Sequence, residues 1–200
     1  MTVVNENKPE TVDPILEKVM LQVPKPVVDS TGDVFHDLMS CIIEQQIHYR
    51  STKKIFAKAL ERAGITHLTP ENFHLLEKHA LSQIKLATGK YETMLQFIAY
   101  WQHNTLDFNQ LTDEKVASEL ASIKGIGKWT IDMILMYTLK RDNVFPADDF
   151  HLKQIMVSLY DLDPKVKLKA QMLEVAEKWG HQKSIAVLYL LAYKYKKSIV

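Results

Sequence analysis

The sequence contains a single cysteine, Cys41, and only six glycines in 200 residues. One thiol excludes an intrachain disulfide and any four-cysteine metal cluster. We therefore expect a reducing intracellular setting, the cytoplasm or nucleoid in a bacterium or the nucleus in a eukaryote. Cys41 lies beside apolar residues and is interpreted as an inert buried thiol. The scarcity of glycine, with few runs of β-branched residues, favours a mostly helical protein.

The sequence also lacks the patterns of several functional classes. No apolar run reaches the roughly 18 residues of a membrane-spanning helix, so no membrane partner is expected. The polar N-terminal segment fits neither a signal peptide nor a transit peptide, and we expect residues 1–12 to form a flexible tail. Neither a Walker-type loop nor a dinucleotide fingerprint is present. The eight histidines form no pair with acidic support, which predicts no side-chain metal ligands.

The remaining residues are typical of a globular domain, with 46% apolar and 24% charged residues. Helix signals recur along the chain, whereas no alternating strand pattern of convincing length is present. We predict an all-α protein of about ten helices, in which residues 13–200 form two packed, interleaved helical lobes with a cleft between them. The predicted helix starts include Asp13-Pro14, Asp33, Ser51, Thr69-Pro70, Thr112, Lys128, Phe150, Asp163-Pro164 and Ser184.

The most informative segment is the glycine hairpin Lys124-Gly125-Ile126-Gly127-Lys128, which precedes a helix predicted to run to about Leu139. Glycines permit positive φ angles and the close approach of a ligand to the backbone. The unpaired N–H groups of a helix start can bind a phosphate. Ile126 is expected to fix the turn in the core, and Lys124 and Lys128 to attract a nucleic-acid strand. A plain helix–helix turn is the alternative for a GxG taken alone.

The net charge of +1 does not by itself indicate a nucleic-acid-binding protein, but the distribution of charge is uneven. The stretch from Lys165 to Lys197 contains eight lysines and two glutamates. Such a stretch makes one end of the fold positive and suits a polyanionic partner. A solvated lysine-rich face explains the same pattern equally well.

With its flanking residues, the hairpin resembles the helix-hairpin-helix of the DNA glycosylase superfamily, and within it the DNA-3-methyladenine glycosylase II family. The resemblance covers nearly all of residues 15–197, without the β-rich N-terminal lobe of some members. Its matching segments are Ile43-Glu44-Gln45-Gln46-Ile47, the hairpin, Phe145-Pro146-Ala147-Asp148-Asp149, and Trp179 with Lys183, Ser184 and Ala186. It implies a monomer that acts on duplex DNA containing alkylated bases and needs no cofactor. It also implies that the DNA strand binds the backbone at Gly125 and Gly127, with a monovalent cation at the hairpin backbone.

The resemblance also implies that Asp149 is the catalytic residue. Cleavage of an N-glycosidic bond builds positive charge on the deoxyribose, and a fixed carboxylate stabilises that charge and orients the attacking water. The loss of one such electrostatic partner commonly costs about 3–4 kcal/mol of barrier. Asp148 is expected to cap the helix that starts near Phe150.

The residue after Lys128 indicates the subtype. Members that also cut the DNA backbone, such as endonuclease III, have a lysine there that forms an imine with the sugar, whereas this chain has Trp129. Lys128 points about 100° around the helix and is a poor substitute. The iron–sulfur loop of that branch is also missing. We therefore expect a monofunctional enzyme without AP-lyase activity.

A glycosylase flips its target base into a pocket and fills the vacated stack. Methylated purines are cationic and suit an aromatic wall, for which Trp129 is the first candidate and Phe150 the second. Gln46 matches the position of the wedging side chain. His48, and His181 with Gln182, depart from the family pattern and leave the lesion range open.

Two other readings stay open at the level of sequence. A non-catalytic helix-hairpin-helix DNA-binding module would keep the hairpin without the chemistry, although the Pro146-to-Asp149 turn argues against it. A sister glycosylase for oxidised or mismatched bases would in most branches need the missing lysine or the cluster loop.

Overall fold

The computed structural model describes residues 13–28, 30–44, 53–84 and 86–197. Within these ranges the chain forms ten α-helices and no strand, which confirms the predicted all-α class. The helices are α1 (Pro14–Gln22), α2 (Val34–Glu44), α3 (Lys53–Ala63), α4 (Phe73–His79), α5 (Thr88–His103), α6 (Asp113–Ala121), α7 (Lys128–Met133), α8 (Phe150–Tyr160), α9 (Leu168–Glu177) and α10 (Lys183–Lys197). The predicted tail, Ser51, and the predicted wedge Gln46 lie outside the described residues. No described helix is both long enough and apolar enough to span a bilayer.

The chain divides into two compact units, and the first combines the residues up to 28 with those from 140 onward. Asp13 is its central polar residue. One carboxylate oxygen caps α1 through the N–H groups of Ile15 and Leu16, at 3.0 and 3.2 Å. The other oxygen accepts hydrogen bonds from Tyr160 Oη at 2.7 Å and Trp179 Nε1 at 2.8 Å. A single buried carboxylate thus connects the first helix to residues near the ends of α8 and α9.

The second unit comprises residues 29–139, and α2 runs through its core. Phe35 stacks on Phe97 with ring centroids 5.3 Å apart, and Trp101 packs edge-on against both rings. At the far end of the unit, Thr138 Oγ1 donates a hydrogen bond of 2.9 Å to Asp37 Oδ2 on α2. The apolar faces of the neighbouring helices therefore pack around α2.

Three predicted helix boundaries differ in the structure. Thr69-Pro70-Glu71 forms a turn before α4, in which the Thr69 N–H donates to Asn72 Oδ1 at 2.9 Å. Asp163-Pro164 likewise forms a turn, and α9 begins only at Leu168. Helix α7 ends at Met133, and a π-helical turn over Ile134–Thr138 follows it directly. The predicted helix is therefore present, with a change of hydrogen-bond pattern after Met133. The Asn72 side chain closes the first of these turns, and the Asp163 side chain closes the second by accepting from the Lys165 N–H.

Candidate active site

Gly125 is required by the hairpin for two physical reasons. Its φ angle is +96°, a conformation that residues with a Cβ rarely adopt. A Cβ at this position would also lie 2.0 Å from Thr93 Oγ1 on α5. The hairpin backbone therefore packs directly against α5, beside an open depression of about 490 Å³ that Lys124 and Gly125 help to line.

Gly127 differs from Gly125 because nothing in the fold requires a glycine there. Its φ of −95° and ψ of 170° suit any residue, and an added Cβ would meet no atom within 4 Å. Gly127 is the N-cap of α7, so the space that its missing side chain leaves lies at the first N–H groups of that helix. A glycine here keeps the helix start accessible to an external group such as a phosphate.

Of the other hairpin residues, one anchors the turn in the core and two carry positive charge. Ile126 is buried, as predicted, and its N–H donates to the Ile123 carbonyl at 3.1 Å. Lys124 is exposed. Lys128 donates to both carboxylate oxygens of Asp132, at 2.7 and 2.9 Å. The Lys128 ammonium is thus held on its own helix by a buried aspartate, and its predicted DNA contact stays a prediction.

Sequence reasoning missed the role of Asp132, although the i,i+4 spacing from Lys128 was a visible signal. Asp132 is buried, and a buried charge is costly unless an opposite charge lies beside it. Lys128, at the start of the same helix, provides that opposite charge. The pair therefore connects the exposed start of α7 to the interior of the second unit.

Asp149 lies at the N-terminus of α8, directly after a tight turn. The Ala147 N–H donates to the Phe145 carbonyl and the Asp149 N–H donates to the Pro146 carbonyl, both at 2.9 Å. The side chain is the N-cap of α8, with Oδ1 accepting from the Leu152 N–H at 2.7 Å. With only 8% of the residue exposed, the carboxylate is held in one orientation in a largely water-excluded position.

The predicted capping role of Asp148 is wrong, because Asp149 caps α8. Asp148 is exposed and receives the Lys169 ammonium at 3.1 and 3.2 Å, with Lys153 at 3.9 Å. The turn at Pro146 gives residue 149 the extended backbone of an N-cap and leaves the preceding side chain outside the helix. The two adjacent carboxylates thus have different environments, one buried and one in a surface ion-pair cluster.

A second group of residues beside Asp149 was not anticipated from the sequence. The Lys194 ammonium on α10 donates to His151 Nδ1 at 2.9 Å and to Gln154 Oε1 on α8. Burial lowers the pKa of Lys194, and the negative charge of Asp149 opposes that shift. Burial and the Lys194 charge lower the pKa of His151, again against the effect of Asp149. Lys194 appears in the sequence only as one of many C-terminal lysines, so only the packing of α10 on α8 reveals its position.

The two candidate pocket walls lie in different units. Trp129 is half-buried on α7. Phe150 is 63% exposed, and the Lys194 ammonium lies 5.7 Å from its ring centroid. Both base-pocket roles stay predictions. Among the described residues, no group of three or more histidine, cysteine, aspartate or glutamate side chains is arranged to hold a metal ion.

Known proteins have similar sequences and structures, although no family model matches the chain. The chain is 30% identical over 166 residues to YfjP of Bacillus subtilis, whose name assigns it provisionally to the DNA-3-methyladenine glycosylases. The match covers 78% of this chain and 58% of that protein. It is 28% identical over 163 residues to DNA-3-methyladenine glycosylase 1 of Schizosaccharomyces pombe, which covers 78% of this chain and 70% of that protein.

Solved structures with a similar fold include both 3-methyladenine and 8-oxoguanine glycosylases. The structure of the Schizosaccharomyces pombe 3-methyladenine DNA glycosylase Mag1 in complex with abasic DNA superposes with a TM-score of 0.76 at 23% identity, covering 94% of this chain and 93% of that chain. Within the described ranges, ten helices, a glycine hairpin and a helix-capping aspartate after a proline turn accompany these similarities. The chain is thus similar in sequence to proteins named as DNA-3-methyladenine glycosylases and has the fold of a solved one, and it spans less than two thirds of the length of YfjP.

Proposed function

We propose that this protein is a monofunctional DNA glycosylase that hydrolyses the N-glycosidic bond of alkylated purines in duplex DNA during base excision repair. The observation that carries the proposal is the buried Asp149 carboxylate, fixed at the start of α8 directly after the Pro146 turn. The sequence similarity of the chain to proteins named as DNA-3-methyladenine glycosylases supports the same reaction.

Asp149 performs the electrostatic part of the reaction. As the bond between base and sugar lengthens, positive charge develops on the deoxyribose, and a preorganised carboxylate stabilises it without having to reorient. The hydrogen bond from Leu152 holds one carboxylate oxygen. Attack of water on the sugar completes the hydrolysis, and the carboxylate orients or deprotonates that water.

The hairpin performs the positioning part. The backbone N–H groups at Gly127 and at the start of α7 bind a phosphate of the strand, with the turn geometry maintained by Gly125. Lys124 and Lys128 contribute attraction that does not depend on base sequence. A monovalent cation bound by the hairpin carbonyls fits the same role, because it adds positive charge beside the phosphate.

The base is flipped into a pocket whose wall includes Trp129, while Gln46 fills the space that it leaves in the duplex. Trp129 occupies the position at which bifunctional members have an imine-forming lysine. The base is therefore released by water, and the product is an abasic site in an intact strand. Borohydride treatment during the reaction is expected to trap no covalent protein–DNA adduct.

The first experiment is chromatographic detection of free bases released from methylated duplex DNA by wild-type protein and by Asp149→Asn. Asn also caps helices well, so the variant removes the charge and keeps the fold. The matched control is Asp148→Asn, which removes the neighbouring exposed carboxylate. We expect wild type and the control to release 3-methyladenine or 7-methylguanine.

Asp149→Asn is expected to be slower by a factor of about 10²–10³, since removal of a comparable electrostatic partner has that effect, and to bind DNA with little change. Full activity of Asp149→Asn would overturn the mechanism. Absence of base release by wild type, with DNA binding intact, would favour either another lesion as substrate or the non-catalytic module.

A further inference from the structure

The region beside Asp149 contains a fixed cation as well as a fixed anion. Lys194 extends from α10 towards the start of α8, where its ammonium donates to His151 Nδ1 at 2.9 Å and to Gln154 Oε1. The ammonium also lies 5.7 Å from the ring centroid of Phe150, the residue that follows Asp149. Two acceptors from one helix therefore hold the charge in one place.

The chemistry of its neighbours keeps Lys194 charged in this position. A neutral imidazole can accept a hydrogen bond through Nδ1, whereas an imidazolium cannot. The lowered pKa of His151 favours the neutral, accepting form. The Asp149 charge favours the ammonium form of Lys194 and opposes the effect of burial on its pKa. The result is a positive charge held beside Phe150 and His151, the two residues that follow Asp149 in the sequence.

The ammonium also changes what Phe150 can bind. An aromatic ring attracts a cation through its negatively polarised face, and the Lys194 ammonium lies within the distance of about 6 Å at which that attraction is significant. A cationic base near this ring would experience repulsion from Lys194. A neutral purine experiences none, and its ring nitrogens can accept a hydrogen bond from an ammonium.

The two substrate classes differ in the charge that the base carries during bond cleavage. A neutral purine becomes more negative as the bond breaks, while the sugar becomes positive. An anion near the sugar and a cation near the base stabilise both developing charges. A cationic purine starts with one positive charge and becomes neutral as the bond breaks, so the cation opposes its binding to the site but not the departure of the base.

We propose that Lys194 is a specificity-determining residue that favours electrically neutral damaged purines over cationic methylated purines. The inference rests on the proposed glycosylase function and deepens it by naming the charge of the preferred base. Lys194 acts on the bound base, and His151 and Gln154 are positioning residues that hold its ammonium.

The test compares release of a cationic base, 7-methylguanine, with release of two neutral bases, 1,N6-ethenoadenine and hypoxanthine, under single-turnover conditions. Lys194→Met removes the charge and keeps most of the side-chain length, and Lys194→Gln repeats the removal with a polar side chain. Lys194→Arg keeps the charge. The matched control is Lys196→Met, because Lys196 lies on the same helix but donates to the Gln22 carbonyl.

We expect Lys194→Met and Lys194→Gln to raise the ratio of cationic to neutral base release, measured below saturation, by about five- to twentyfold, the order of the interaction between two unit charges partly shielded from water. The DNA concentration that half-saturates the enzyme with 7-methylguanine is expected to fall at the same time. Lys194→Arg and Lys196→Met should keep the wild-type ratio.

A merely structural role for Lys194 would lower release of all three bases together and leave the ratio unchanged, and that result would overturn the inference while leaving the glycosylase function intact. Absence of release of every base by wild-type protein would overturn the proposed function and the inference with it. Thermal unfolding of each variant identifies a loss of activity that is due to a loss of fold.

Discussion

Asp149 Oδ1 accepts a hydrogen bond of 2.7 Å from the backbone N–H of Leu152, so the carboxylate proposed for catalysis is also the N-cap of α8. The same contact that positions the reactive group stabilises the helix that carries it. A substitution at this residue therefore changes activity and stability through different atoms, and the two effects can be separated by the choice of variant.

We expect Asp149→Ala to lower the free energy of unfolding by about 1 kcal/mol relative to Asp149→Asn, because only asparagine keeps a side-chain acceptor for the Leu152 N–H. Both variants should be equally poor in base release. Urea unfolding monitored by circular dichroism measures the first quantity. Equal stability of the two variants would show that the cap contributes little.

The two hairpin glycines are expected to respond differently to alanine. Gly125→Ala forces a Cβ onto a φ of +96° and to within 2.0 Å of Thr93 Oγ1, so we expect a loss of about 2–4 kcal/mol of stability. Gly127→Ala introduces its methyl group into open space, and stability should change by less than about 0.5 kcal/mol.

DNA affinity of Gly127→Ala is nevertheless expected to fall, because the methyl group occupies the space in front of the first N–H groups of α7. Fluorescence anisotropy with a labelled duplex measures this affinity. Thr93→Ala combined with Gly125→Ala should recover part of the lost stability, which distinguishes the steric contribution from the backbone strain. If Gly127→Ala binds DNA as tightly as the wild-type protein, the hairpin is not part of the DNA-binding surface.

Asp148→Asn removes the carboxylate that Lys169 and Lys153 share on the surface. Exposed ion pairs contribute about 0–1 kcal/mol, so we expect a change in unfolding free energy within that range. Affinity for duplex DNA should rise modestly at low salt, since one negative charge is lost and two lysines are released. A loss of 2 kcal/mol or more would show that Asp148 contributes more to stability than exposed ion pairs do.

Asp13→Ala is expected to destabilise the first unit strongly. It removes the cap of α1 and leaves the Tyr160 hydroxyl and the Trp179 indole N–H without their shared acceptor. A loss of about 2–4 kcal/mol is expected from these combined effects. Tyr160→Phe, the control that removes one of these hydrogen bonds, should lose only about 1 kcal/mol. Urea unfolding of both variants gives the comparison.

Burial raises the pKa of the Cys41 thiol from 9.0 to about 12. The folded state therefore disfavours the thiolate, and the stability that the neutral thiol contributes is lost as pH rises above about 9. We expect a thiol reagent at pH 8 to modify Cys41 in denaturant and to leave the folded protein unmodified over the same period. Cys41→Ala should show a smaller loss of stability between pH 9 and pH 11. Rapid modification of the folded protein would contradict the burial of this residue.

Local sequence was sufficient for the hairpin and for most helix starts. Asp13 and Thr112 cap helices as predicted, because a cap depends on a side chain and on an N–H two or three residues away. Local sequence could not decide whether Asp148 or Asp149 caps α8. Both are good caps, and the turn at Pro146 decides which of them reaches the helix.

The amino-acid sequence by itself determined the all-helical class, which follows from hydrophobic periodicity. It also determined the turn that requires Gly125, which follows from the absence of a Cβ and from local hydrogen bonding. Only the tertiary structure decided which charges meet. Lys194 reaches His151 and Asp13 reaches Trp179 across 43 and 166 residues of chain, and no local pattern encodes such contacts. The packing of whole helices against one another, through their apolar faces, brings these polar groups within a few ångströms and so defines their chemistry.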